Sequence, residues 1–158
     1  MSLLNERMVK FFRKTPARTF FIYPLLTIGW ELVLNRGSLR VEPLFFLLML
    51  WGYLQYRLCG TYRTKSGGGG PGIDAPPDRL VTTGAYAYSR NPMYFGHIIF
   101  LIGLSLSFRS VFAAVITGAS AVWFHFRVLD DEKRLAGRLG PPYLEYTAAV
   151  KRWIPGLF

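Results

Sequence analysis

Hydrophobic positions in this chain gather into four long runs, not into an alternating or one-sided pattern. The runs cover about Ala17 to Leu34, Val41 to Leu58, Met93 to Phe108 and Val111 to Leu129. A stretch such as Pro43 to Trp51 has no polar face, so a soluble amphipathic bundle does not account for it. A bilayer core of ~30 Å takes about 20 helical residues, and each run comes close. The pattern predicts an all-α integral membrane bundle of about four transmembrane helices. Only Arg109 and Ser110 separate the last two runs, which predicts a tight helical hairpin. No internal repeat is visible.

Charge sits in blocks between these runs. Nineteen Lys and Arg face nine Asp and Glu, a formal net charge of +10. A nucleic-acid binder would spread such charge over a polar surface, so the blocks exclude that class. Sixteen of the nineteen lie before the first run (Arg7, Lys10, Arg13, Lys14, Arg18), between the second and third, or around and after the end of the fourth. The other side holds only Arg36, Arg40 and Arg109. Cytoplasmic loops carry the excess of basic residues, so both termini and the middle loop are expected in the cytoplasm. The one cysteine, Cys59, permits neither an intrachain disulfide nor a thiolate cluster. The opening residues do not read as a cleavable leader, and no C-terminal prenylation box is expected.

The whole chain, 1–158, reads as one membrane domain. Residues 1–60 form an N-terminal two-helix region, 61–79 a Gly- and Pro-rich cytoplasmic loop, and 80–158 a core with the hairpin and a C-terminal tail. Ser66 to Gly72 and Pro76-Pro77 disfavour helix and sheet and predict a mobile loop. It lacks the Lys-Ser/Thr ending of a phosphate loop, so nucleotide-phosphate binding is rejected. The tail from Asp130 to Val150 has helical spacing, with a break expected at Gly140-Pro141-Pro142.

Two clusters could carry chemistry. Leu80 to Gly96 is rich in tyrosine and hydroxyls; Asn91 and Pro92 suit the N-cap and first position of the third helix. A capped helix start with interfacial tyrosines and a ligand-binding turn both fit these residues. The second cluster is Arg127, Asp130, Asp131 and Glu132, with Arg127 and Asp131 on one helix face. Three acids at a helix C-terminus would oppose the macrodipole. Either they meet a cationic partner, or they are a solvated run paired with Lys133, Arg134 and Arg138. His97 and His125 are not at metal-ligand spacing and no metal site is expected. A hydrogen-bonded core role suits His97 better than a place at a substrate entrance. Glu31 is expected near the outer end of the first helix.

Leu80 to Gly96, then a membrane hairpin, then Asp131-Glu132-Lys133-Arg134-Leu135, Leu139-Gly140, Tyr143, Tyr146 and Trp153-Ile154-Pro155-Gly156, resembles the isoprenylcysteine carboxyl methyltransferase and phospholipid N-methyltransferase superfamily. The resemblance covers about residues 78–158; the first two helices match only in hydropathy. Asn91, where the isoprenylcysteine branch has His, looks more like the phospholipid branch and bacterial relatives, so a bacterial inner membrane is the expected location. Position 131 is Asp where Glu is usual.

The resemblance implies a methyltransferase using S-adenosyl-L-methionine, held where the cytoplasmic loop and C-terminal helix meet. Carried over, Asp78, Arg79, Leu80, Val81, Tyr86, Asn91, Pro92, Met93, Tyr94 and Asp131 would line the donor site. Arg127 would hold the substrate near the reacting methyl, and Glu132 is a candidate base. The implied partners are the lipid bilayer and a lipophilic acceptor: an isoprenylcysteine-type carboxylate, a phospholipid amine, or a small thiol or carboxylate. The oligomeric state is not indicated. The rival reading is a non-catalytic scaffold or lipid-binding accessory protein that uses its basic face on anionic lipids.

Overall fold

The structure is a computed structural model and describes residues 14–153. Arg7, Lys10, Arg13 and Ile154-Pro155-Gly156 lie outside the described residues. Within them the chain is helical, with no strand. Helix α1 spans Thr15–Leu34. A short 3-10 turn, Pro43–Phe45, leads into α2, Phe46–Gly67. A second 3-10 turn, Gly84–Ala87, precedes α3, Pro92–Ser107. Helix α4 spans Val111–Leu139 and α5 spans Pro141–Ala149.

The four expected runs each form a helix, but two helices outrun their apolar stretch. Helix α2 starts five residues after the expected Val41 and continues to Gly67, across the 60/61 division. Helix α4 continues ten residues beyond Leu129. Its 29 residues give a length of about 43 Å, more than a bilayer core. Asp130, Asp131 and Glu132 therefore sit within the helix and not at its end, so the expected conflict with the macrodipole does not arise. The expected break falls at Gly140, whose φ of 66° suits glycine and ends α4.

Helices α1 and α4 are long and apolar enough to cross a membrane; α3 is a shorter apolar helix. Leu25, Val33, Leu47, Leu50, Trp51, Val111, Val115, Val122 and Phe126 are each more than half exposed. Water would not tolerate so large an apolar surface, but lipid does. Inside α1, Arg18–Ile22 is a π-helical turn. It immediately precedes Pro24, which cannot donate to the ladder and crowds the carbonyl four residues back.

Helices α2 and α3 pack backbone to backbone. A Cβ at Gly52 would lie 2.5 Å from the Phe100 amide nitrogen, and one at Gly103 would lie 2.8 Å from the Met49 nitrogen. Small residues are what allow such an approach. The hairpin turn is tight as expected, with Ser110 Oγ accepting from the Ala113 amide. At that end of the bundle the Glu42 amide donates to the Ser107 carbonyl and Arg109 pairs with Glu42 at 3.1 Å. Glu31 is buried near the C-terminus of α1 and accepts from Asn35. The opposite end gathers the start of α1, the 68–83 loop, the start of α3, the late part of α4, and α5.

Candidate active site

The loop after α2 is organised, contrary to the mobility its composition suggests. Arg63 in α2 donates through Nη2 to the carbonyls of Gly70, Gly72 and Ala75. The Gly67 carbonyl accepts from the Asp78 and Arg79 amides at 2.8 Å each. Ile73 is buried. One guanidinium thus satisfies carbonyls that a Gly- and Pro-rich chain leaves unpaired. Asp78 accepts from the Gly69 amide and from Arg138 of α4 at 2.9 Å. The Gly69 amide first, then Arg138, holds the Asp78 carboxyl below the usual carboxylate range.

This loop closes over a cavity of about 180 Å³ at the same end of the bundle. One water needs roughly a tenth of that, so the space suits a larger molecule. Leu80, Val81, Tyr86, Asn91, Tyr94, Arg127, Asp131 and Glu132 all line it. Asp78, Arg79, Pro92 and Met93 do not. Asp78 is committed to Arg138, the Pro92 carbonyl accepts from Gln55, and Met93 is buried against Gly60.

The two adjacent acids differ sharply. Asp131 Oδ2 accepts from the Tyr94 hydroxyl at 2.6 Å and lies 3.6 Å from Arg127 Nε. Its Oδ1 has only Arg134 at 4.0 Å, and that side chain is 78 % exposed. Asp131 thus lines the cavity with one oxygen held short by Tyr94 and the other only loosely paired. Glu132 accepts from Arg152 at 2.9 and 3.1 Å and from Asn91 at 3.3 Å, and pairs with Arg90 at 3.2 Å. Its side chain is 12 % exposed. These contacts tie the Glu132 carboxylate into the cavity wall. Asn91 occupies the N-cap position of α3, yet its side chain makes no capping bond. It donates instead to Glu132 and to the Arg152 carbonyl.

The tail completes the wall. The Arg90 amide donates to the Lys151 carbonyl, Ser89 Oγ to the Arg152 carbonyl, and the Tyr146 hydroxyl to the Tyr86 carbonyl at 2.6 Å. Burial, reinforced by the negative charge of Glu132, pushes the Tyr143 phenol up to about 12. Burial raises Tyr86 and Tyr146 further. All three stay neutral at physiological pH and present apolar rings with polar tips.

His97 departs from expectation. It is fully buried, but neither ring nitrogen has a hydrogen-bond partner among the described residues. Phe20 stacks on it at 4.7 Å, and Tyr56 and Phe124 flank it at 4.7 and 5.5 Å.

The sequence model of the phospholipid methyltransferase family matches residues 43–138, more than half of the chain. The chain belongs to the phospholipid methyltransferase family. The match takes in α2, where the sequence pattern offered hydropathy alone, and ends before Tyr143, Tyr146 and Trp153. Within the family match lie Leu80 to Gly96 and the Arg127 to Glu132 cluster. A Protein-S-isoprenylcysteine O-methyltransferase of Dictyostelium discoideum is 32 % identical over 79 residues, 49 % of this chain and 33 % of that protein. The chain thus matches about a third of the length of that curated relative. No solved structure matches it. The family match and the apolar helices together are those of a membrane protein of the phospholipid methyltransferase family.

Sequence reasoning missed Asp74, Arg90 and Arg152. Asp74 sits on the Gly-rich loop, lines the cavity and pairs with Arg127 at 2.9 Å. Arg90 and Arg152 fix Glu132. Arg90 lies in the Leu80 to Gly96 stretch without being singled out, and nothing local marks Asp74 or Arg152, because each acts across the fold.

Proposed function

We propose that this membrane protein transfers a methyl group from S-adenosylmethionine to a lipophilic acceptor, with four spans and with both termini and the cavity on the cytoplasmic side. The observation that carries the reading is the Asp131 carboxylate in the cavity wall: Tyr94 fixes its Oδ2, while the nearest ion-pair partner of its Oδ1 is the exposed Arg134 at 4.0 Å.

The residues present fit that donor. It carries a sulfonium, an ammonium, a carboxylate and a flat aromatic base. Asp131 Oδ1 would pair with the ammonium. Tyr86, Tyr94, Tyr143 and Tyr146 line the cavity with rings that suit a cation or a flat base. Leu80, Val81, Leu135 and Leu139 add apolar wall. Arg134 and Arg138 lie at the rim, within reach of a carboxylate.

Bound there, the donor supplies an electrophilic methyl that passes to the acceptor as its carbon–sulfur bond breaks and the electron pair stays on sulfur. The chain's contribution is placement. In-line displacement depends on alignment, and alignment is what the paired wall supplies. The Tyr94 hydroxyl fixes the Asp131 carboxylate, and Glu132 locks Asn91, Arg90 and Arg152 behind it. The 68–83 loop, clipped by Arg63 and Arg138, limits water. The apolar surface of α1, α2 and α4 suits an acceptor that arrives from the bilayer. A lipidated carboxylate, a phospholipid amine and a small lipophilic thiol are the acceptors this chemistry admits.

Labelled methyl transfer tests the proposal. Purified protein with methyl-labelled S-adenosylmethionine and a native membrane extract should move label into the lipid-soluble fraction. Label that stays entirely on the donor across bacterial and eukaryotic extracts would refute the enzyme reading and favour a scaffold.

A further inference from the structure

Arg127 reads as the obvious clamp for an anionic acceptor, since a guanidinium holds a carboxylate or phosphate in two-pronged fashion. The position is already taken. Arg127 Nη2 donates to Asp74 Oδ1 at 2.9 Å, and Nε faces Asp131 at 3.6 Å. Thr15 of α1 also donates to Asp74 Oδ1, at 3.3 Å. Asp74 does not wander into this contact. It lies between Gly72 and Ala75, whose carbonyls are both held by Arg63, and the Ala75 amide closes a turn on the Gly72 carbonyl. The loop backbone is thus set by α2 while the Asp74 carboxylate is presented to α4.

We propose that Asp74 is a specificity-determining residue: it is a built-in anion that occupies Arg127 and steers the acceptor site away from anionic headgroups towards neutral nucleophiles. Arg127 is shared between two carboxylates, and only Asp131 has a second cation, the exposed Arg134 at 4.0 Å, in the cluster. An incoming lipophilic carboxylate or phosphate monoester must displace Asp74 to gain a two-pronged hold, and until then it meets like charge. A neutral amine or thiol meets no such cost. This deepens the methyl-transfer reading and takes from it the identity of the site as the acceptor's.

The effect is moderate, because Asp74 is 38 % exposed and the pair is partly screened. Exposure also makes Asp74→Asn compatible with folding, since Arg63 holds the loop without it. The test is equilibrium binding of radiolabelled dodecyl phosphate, with dodecanol as the uncharged control, to the full chain in nonionic detergent. Asp74→Asn should bind dodecyl phosphate about fivefold more tightly than wild type, with dodecanol unchanged. Asp74→Ser should show the same gain, and adding Arg127→Gln should abolish it. Equal dodecyl phosphate affinity in wild type and both Asp74 variants would overturn the proposal, as would an equal gain for dodecanol. The readout needs neither donor nor turnover. A gain that persists in a protein unable to bind S-adenosylmethionine would leave the role of Asp74 standing and defeat the enzyme reading alone.

Discussion

Glu132 and Asp131 are neighbours in sequence and opposites in environment. Glu132 is ringed by Arg90, Arg152 and Asn91, so its loss strands charge inside the wall. Removing one partner of a buried pair costs about 3 kcal/mol. Glu132→Gln should therefore lower the thermal unfolding midpoint in detergent markedly; an unchanged midpoint with lost methyl transfer would instead support Glu132 as a base. His97 makes the reverse case. An unpartnered buried polar group costs about 1–3 kcal/mol, and an aromatic cage offers its ring nitrogens no hydrogen bond. His97→Phe should hold or raise the midpoint, and a fall of several degrees would show that a nitrogen has a partner. The contiguous motif made Leu80, Val81, Tyr86, Asn91 and Tyr94 legible, because neighbours on one turn reach one cavity. Asp74 was not legible: its partner Arg127 lies 53 residues away and a Gly-rich context hides a functional carboxylate.

Hydropathy located the helices but not their ends. It reports the solvent around a helix, whereas the helix itself continues as long as its backbone bonds are made. Hence α2 runs on to Gly67 and α4 to Leu139, past the apolar limit, and those extensions carry Arg63, Asp131 and Arg138 to the cavity. Loop composition misled for a related reason. Glycine and proline state what the backbone can do, not that Arg63 will hold it. The α2–α3 seam is the element-scale constraint. Gly52→Val would drive a side chain into the backbone of Phe100 and Gly96 and should cost about 1–3 kcal/mol or more. Gly118→Ala, where a Cβ meets nothing within 4 Å, should be neutral or slightly stabilising. Comparable losses in both variants would mean that the seam is not closely packed.

At the scale of the molecule, both ends of the bundle are sealed differently. One end is a short turn with an exposed Arg109–Glu42 pair. The other gathers the loop, the acids of α4, α5 and the tail around one cavity. In the proposed topology the cavity end faces the cytoplasm, where a soluble cationic donor would reach it. An apolar outer surface gives a lipophilic acceptor its own route. Family membership supports the proposed reaction class, and the paired wall offers that class a site in this chain. The account stands on Asp131 meeting a cationic methyl donor. Calorimetric titration of the purified protein with S-adenosylmethionine measures that meeting directly. Saturable binding is predicted for wild type, with affinity falling about tenfold or more in Asp131→Ala, the loss of one charge-assisted contact. No heat at millimolar donor, or equal binding by Asp131→Ala, would contradict it.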